Sequence, residues 1–314
     1  MTNTSIKEKS LRLARSIIST LLLAGLIIFG ICASPSLADS VIIGMKLAIY
    51  KVLPSSFPFM ILSDIYATYG HPENIRWVRS FASRILRIPA IGVGAMICGN
   101  IGGFPIGAHI TANLYKNGAI DKSCAERLIA MSSNPSLAFV IGGVGLGMYC
   151  DRNLGYILIA SIYLSTIIIS IVSKSATNKN NFTANNIWQN YNFVSSLKKT
   201  ALSCVNLIAI ISVFSTLIGL LRKCVKSTIA LVIITSFAEV TNAVYLSSSS
   251  ALPRGVSIMA SAFALGFGGI SVMLQSATFI EDTDISLKKY FVLKLIQGII
   301  SAAIAYLIYY VYTR

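Results

Sequence analysis

From position 98 the chain reads Cys98-Gly99-Asn100-Ile101-Gly102-Gly103-Phe104-Pro105-Ile106-Gly107-Ala108-His109, inside an apolar stretch spanning residues 88–114. Four glycines and a proline within nine residues break a helical hydrogen-bond ladder and strand backbone N–H and C=O groups. Hydrocarbon cannot satisfy such groups. Broken backbone at membrane depth survives only where protein buries it or where it lines a polar cavity. The stretch therefore reads as a re-entrant hairpin, two short helical arms with a polar tip at residues 102–107. One kinked transmembrane helix is the alternative that these residues leave open.

Composition supports a membrane setting. Of 314 residues, 55% are hydrophobic and 12% charged, and mean hydropathy is +0.73; soluble domains run at about 25% charged. The net charge of +15 comes from basic residues in short connectors between apolar runs. That is the positive-inside pattern of a polytopic protein and no sign of nucleic-acid binding. The six cysteines form no CxxC pair and mostly lie in apolar runs, so they read as small hydrophobes and not as a metal or redox site. G-x-S-x-G, HExxH and Walker A patterns are absent, and the expectation is a protein that is not an enzyme.

Four divisions follow. Residues 1–87 hold N-terminal spans and a surface helix. Residues 16–32, behind Lys7, Lys9, Arg12 and Arg15, read as an uncleaved first span or as a signal peptide. Residues 41–66 are a second span, tilted or broken near Pro54, with Lys46 and Lys51 snorkelling or facing a cavity. Trp77, Phe81 and Ile85 recur at helical spacing among Arg76, Arg79, Arg84 and Arg87, which predicts an amphipathic cytoplasmic helix. Residues 88–173 hold the hairpin, a connector whose Asp121 can cap the next helix, a span broken at Ser132-Ser133-Asn134-Pro135-Ser136, and an unbroken span. Residues 174–199 belong to an Asn-rich polar loop. Residues 200–314 hold a span, an apolar run with Glu239, Thr241 and Asn242 at its centre, and a run interrupted by Gly266-Phe267-Gly268-Gly269-Ile270-Ser271 and Gln275. The last span covers residues 290–312 and carries Tyr306, Tyr309, Tyr310 and Tyr312 as interfacial aromatics.

The two halves share a grammar: a hairpin-like segment with a polar centre, then a span with a broken centre. Corresponding interruptions in two halves point to a transport site between inverted repeats. The connector charges predict that the two hairpins enter from opposite membrane faces. Arg222, Lys223 and Lys226 run against that topology. The expected fold is an all-α polytopic membrane protein with two inverted repeats, re-entrant hairpins and broken transmembrane helices.

Four blocks carry a resemblance to a known family. Gly102 to His109 is similar to an S-G-Y-P-x-G-A-K block, and Asn134 to Phe139 loosely to N-N-x-x-P-x-F. Phe237-Ala238-Glu239-Val240-Thr241 is similar to an F-E-I-T-like block, and Gly266 to Gln275 closely to G-F-G-G-L-S-V-x-x-Q. The chain thus resembles the YlbJ-type sporulation integral membrane proteins, also called the stage V sporulation protein V family, from about Arg84 to the C-terminus. His109 departs from the pattern, standing where the family usually has a lysine. The resemblance implies two nucleoside-recognition Gate segments and a fold like that of concentrative nucleoside transporters. It also implies transport of dipicolinic acid across the outer forespore membrane.

Glu239 is the one carboxylate in mid-run in the second half, and such a group costs at least about 2.5–3.5 kcal/mol at membrane depth. A carboxylate repels a dicarboxylate, so coupling to a proton or cation is favoured over direct contact with an anion. A structural hydrogen-bonding role is the alternative. His109 reads as a proton-linked switch, an anion partner or a packing residue. Asn100, Asn134, Asn242, Ser271 and Gln275 can offer donors to carboxylate oxygens, and helix N-termini at the breaks offer free N–H groups. Gly103, Pro105, Gly268 and Gly269 set backbone shape, and Ser136 and Thr241 complete the candidate substrate site. No cofactor is expected beyond a coupling proton or cation. The expected partners are a small anion and the lipid bilayer, with a homo-oligomer left open. Rival readings are a nucleoside or other small-solute transporter and a non-transporting membrane scaffold.

Overall fold

A computed structural model describes residues 34–69, 75–173 and 192–314. The expected first span at residues 16–32 and most of the 174–199 loop lie outside the described residues. Among those described, every regular element is helical.

Helix α1 (Ser34–Leu47) passes through a π-helical turn, Ala48–Val52, into α2 (Leu53–Tyr69). The wide turn lies just ahead of Pro54, whose ring and missing N–H disturb bonding to the preceding carbonyls. The break expected near Pro54 is thus absorbed upstream, and the helix continues. Lys51 on this turn donates to the Gly147 carbonyl at 2.6 Å, while Lys46 is exposed.

Helix α3 (Arg76–Phe81) and its π extension Ala82–Leu86 end at Arg87, which is left-handed at φ 52°. Pro89 follows, and α4 (Ala90–Gly102) departs at 89°. Trp77 is 72% exposed, Phe81 and Ile85 are exposed too, and Val78, Ala82 and Leu86 are buried. Apolar residues thus line the outer side of α3 as well, as a helix lying on a bilayer requires.

Helix α5 (Ile106–Lys116) folds back on α4. A Cβ built on Gly99 would lie 3.0 Å from the Gly107 Cα; in a straight helix those residues stand about 12 Å apart. The hairpin forms and the single kinked helix does not. Helix α6 (Lys122–Ser132) starts at Asp121, whose carboxylate accepts the Cys124 N–H at 2.7 Å as expected. It stops at residues 133–136 and resumes as a π-helical segment, Phe139–Leu146. Helices α7 (Arg152–Val172) and α8 (Phe193–Cys224) are unbroken and are capped by Asp151 and Asn192.

Helices α9 (Thr228–Ala238) and α10 (Val240–Ser249) make a second hairpin. Leu231 and Val232 share an apolar cluster with Leu246, joined by Val225 and Leu252 beyond the two outer ends. A straight helix would separate Leu231 from Leu246 by about 22 Å. Helices α11 (Arg254–Phe267) and α12 (Gly269–Ile280) form one broken span, and α13 (Leu287–Tyr312) closes the chain. Small residues let α11 and α13 approach closely: a Cβ on Gly266 would meet the Gly298 Cα at 3.1 Å. Four described segments are long and apolar enough to cross a membrane: Arg152–Val172, Phe193–Cys224, Arg254–Ile280 and Leu287–Tyr312. Exposed Val213, Leu217, Ile299 and Leu307 supply the surface that lipid tails contact. The protein is a multi-pass membrane protein.

Two sets of contacts mark the two ends of the bundle. At one end, Lys289 pairs with Glu126 at 2.7 Å, Tyr115 donates to Asp284 at 2.6 Å, and Lys122 reaches Asp284 at 2.9 Å. Those two donors hold the Asp284 carboxyl below its ordinary range, the Tyr115 hydroxyl first. Arg127 ties this end together, donating to the carbonyls of Leu86, Arg87 and Ser170 at 2.9–3.1 Å and to the Ser173 hydroxyl at 3.2 Å. At the other end, the Tyr149 hydroxyl bonds Ser257 and Ser261, Ser257 donates to the Ser247 carbonyl, and Asn153 donates to Tyr312. Helix α7 runs from Arg152 at this second end to Val172 at the first. The α4–α5 hairpin therefore opens toward the first end and the α9–α10 hairpin toward the second.

In a variant lacking native cysteines, cysteine at exposed Lys116 and at exposed Ser249 is expected to react with an impermeant thiol reagent from opposite sides of intact vesicles. Reaction of both from one side would contradict this arrangement.

Candidate functional site

Each of the four breaks has its own local cause. At the first, Gly103 takes φ 80° and ψ −168°, a conformation closed to residues with a Cβ, and a cis Phe104–Pro105 bond leads into α5. At the second, the Ser132 carbonyl wedges into the crossing of α4 and α5. A Cβ on either Gly99 or Gly107 would sit 2.1 Å from that oxygen. Pro135 has no N–H to give, and the Ser136 hydroxyl accepts the Phe139 N–H at 3.1 Å to restart the helix. At the third, Glu239 is extended (φ −153°, ψ 126°) between α9 and α10. At the fourth, Gly268 and Gly269 have φ 88° and 78°. A Cβ on Gly269 would press on the Ala238 carbonyl at 3.0 Å, so the third and fourth breaks touch.

Three of the breaks, and helix α12 beyond the fourth, meet at one cavity of about 40 Å³, room for about three waters. Gly103 and Phe104 line it from the first break, Pro135 and Ser136 from the second, Glu239 and Thr241 from the third, and Gln275 from α12 beyond the fourth. Apolar walls come from Val52, Met60, Leu207 and Ile211.

Glu239 is 2% exposed and acts as the N-cap of α10. One carboxylate oxygen accepts the Thr241 N–H at 2.8 Å, and the other accepts the Asn242 N–H and side-chain amide, each at 2.7 Å. The negative group sits at the positive end of the helix dipole. This corrects one expectation: the N–H groups at α10 are not free for a substrate anion, because Glu239 takes them. Asn242 is held further by Ser215, whose hydroxyl donates to it at 2.8 Å.

Asn134, Asn100, Ser271 and His109 do not line the cavity. Asn134 is fully buried behind it, where its amide donates to the Asn100 side chain at 3.3 Å. The Ser271 hydroxyl is buried with no hydrogen-bond partner among the described residues. His109 packs on Phe279 with ring centroids 4.9 Å apart and bonds Asn113 at 3.2 Å. That register on α5 turns it toward α12.

Sequence reasoning passed over Lys294 and Gln297. Lys294 is 0% exposed and donates to the Ser133 carbonyl at 2.7 Å, to Asn134 Oδ1 at 3.3 Å and to Gln297 Oε1 at 2.8 Å. The Gln297 amide donates to Asn134 at 2.9 Å and to Thr166 at 2.8 Å. The signal was present: Tyr290, Lys294, Gln297 and Ser301 fall at helical spacing on the one buried face of α13.

The chain is 26% identical over 308 residues to the sporulation integral membrane protein YlbJ of Bacillus subtilis strain 168. The match covers 82% of this chain and 74% of that protein. The chain is thus similar, over most of its length, to a sporulation integral membrane protein. No family model matches it, and no solved structure does.

Proposed function

We propose that this protein moves a small organic anion, dipicolinate in the first instance, across the outer forespore membrane of a sporulating cell. The observation that carries the reading is the convergence on one cavity of three helix breaks and of α12, whose own break packs on the third, with elements from each half of the chain. A scaffold gains nothing from opening four helices in the membrane, since each break strands backbone groups that must be bonded again. A transporter needs broken helices, because a site at mid-depth must be reached from either side in turn. On this reading the hairpins α4–α5 and α9–α10 are the equivalent elements of two inverted repeats, and the fold is of the kind used by concentrative nucleoside transporters. The relative's name supports the setting in sporulation. The present cavity holds only a few waters, so on this reading it must widen to load its cargo. Glu239, which both caps α10 and faces the cavity, is the coupling group for a proton or cation.

A second reading has one observation behind it. The side chains of Ser136, Thr241 and Gln275 on the cavity wall are neutral, which also suits a nucleoside. Uptake of labelled dipicolinate and uridine into proteoliposomes separates the two. Saturable dipicolinate uptake at least about tenfold above empty liposomes is expected, with little uridine. Uridine uptake alone would replace the anion reading, and uptake of neither would favour the scaffold.

A further inference from the structure

We propose that Lys294 is the group that receives a carboxylate of the cargo, and that Phe104 is the shutter screening it in the closed state. The inference rests on the anion-transport reading above and gives the anion its counter-charge.

Lys294 uses its three ammonium donors on three neutral acceptors, and among the described residues no carboxylate is a partner. An ammonium buried without a counter-ion is costly, and a methionine or glutamine would fill the same space more cheaply. Two of its three acceptors, the Ser133 carbonyl and Asn134, belong to the broken segment after α6, which the proposed cycle rearranges. On another side the ammonium stands over the Phe104 ring, 5.7 Å from its centroid. The same Phe104 lines the cavity at the first hairpin tip. Movement of that tip would uncover a lysine poised beside the cavity, able to give a cargo carboxylate a charge-assisted hydrogen bond. Glu239, a carboxylate already satisfied at its own helix end, cannot serve that purpose.

The test is equilibrium binding to the purified full-length protein with three probes: dipicolinate, the neutral pyridine-2,6-dicarboxamide, and uridine. Lys294→Gln is expected to weaken dipicolinate by about thirtyfold, the scale of one lost charge-assisted bond. The same variant should bind the dicarboxamide as well as the native protein does, a pattern that loss of folding cannot give. Lys294→Arg should recover part of the dipicolinate affinity. Lys294→Met, matched in size, serves if the glutamine variant does not fold. If neither folds, reductive methylation of the native protein, mapped by mass spectrometry, decides. Dipicolinate should then protect Lys294 while uridine does not. Native-like dipicolinate affinity in a folded Lys294→Gln or Lys294→Met, or equal methylation with and without dipicolinate, would overturn the assignment and leave the transport reading standing. A native protein that binds uridine and not dipicolinate would instead overturn the anion reading, and Lys294 with it.

Discussion

Glu239→Gln is expected to cut substrate uptake by on the order of 100-fold while weakening equilibrium binding far less. The carboxylate accepts three hydrogen bonds, one on Oε1 and two on Oε2. Glutamine has one acceptor oxygen, so its NH₂ group must face either the Thr241 N–H or both Asn242 donors. A buried donor set against a donor costs about 1–3 kcal/mol, and the lost cap adds about 0.5–2 kcal/mol. The variant also loses the only charge that the described cavity lining carries, so a proton or cation can no longer be exchanged there. Glu239→Asp keeps a capping carboxylate and should retain measurable uptake. Flux and binding measured on the same purified preparations check this. Normal flux in Glu239→Gln, with unchanged pH and ion dependence, would reduce Glu239 to a helix cap.

Gly107→Val is expected to abolish uptake, and Gly107→Ala and Gly99→Ala to impair it severely. In each case the new Cβ would fall 2.1 Å from the Ser132 carbonyl oxygen. That obstacle is backbone and has no rotamer to escape into. The cost should meet or exceed the ~1–3 kcal/mol of ordinary overpacking. Gly92→Ala is the control: its Cβ would meet the Leu128 methyl at 3.2 Å, and a leucine end can shift. Uptake should stay close to native there. Native uptake in both Gly99→Ala and Gly107→Ala would mean that the second break does not seat on the first hairpin.

The breaks were legible in the sequence because hydrocarbon is unforgiving. Glycine, proline, serine, asparagine and glutamate inside apolar runs announce lost helical bonds, and Gly103, Asn134, Glu239 and Gly268 each mark one. The fold-back of α4 on α5 and of α9 on α10 was readable for the same reason. What escaped was partnership at long range. Lys294 sits eight residues into α13, where a lysine passes for one that snorkels to the interface. Its bonds reach across 160 residues of sequence to Ser133 and Asn134. His109 stood beside the tip in sequence, but the turn of α5 carries its ring to Phe279. The N-terminus of α10 read as an open anion site because nothing in the sequence says that Glu239 curls back onto its own helix.

The most direct test of the central claim, that the broken helices line a site reached in turn from each side, is accessibility at Gln275. This residue lines the cavity from α12 and is partly buried. In a variant lacking native cysteines, Gln275→Cys is placed in proteoliposomes and exposed to an impermeant thiol reagent from one face at a time. The account predicts slow labelling from both faces, suppressed by dipicolinate and not by uridine. Labelling from one face only, indifferent to dipicolinate, would contradict it.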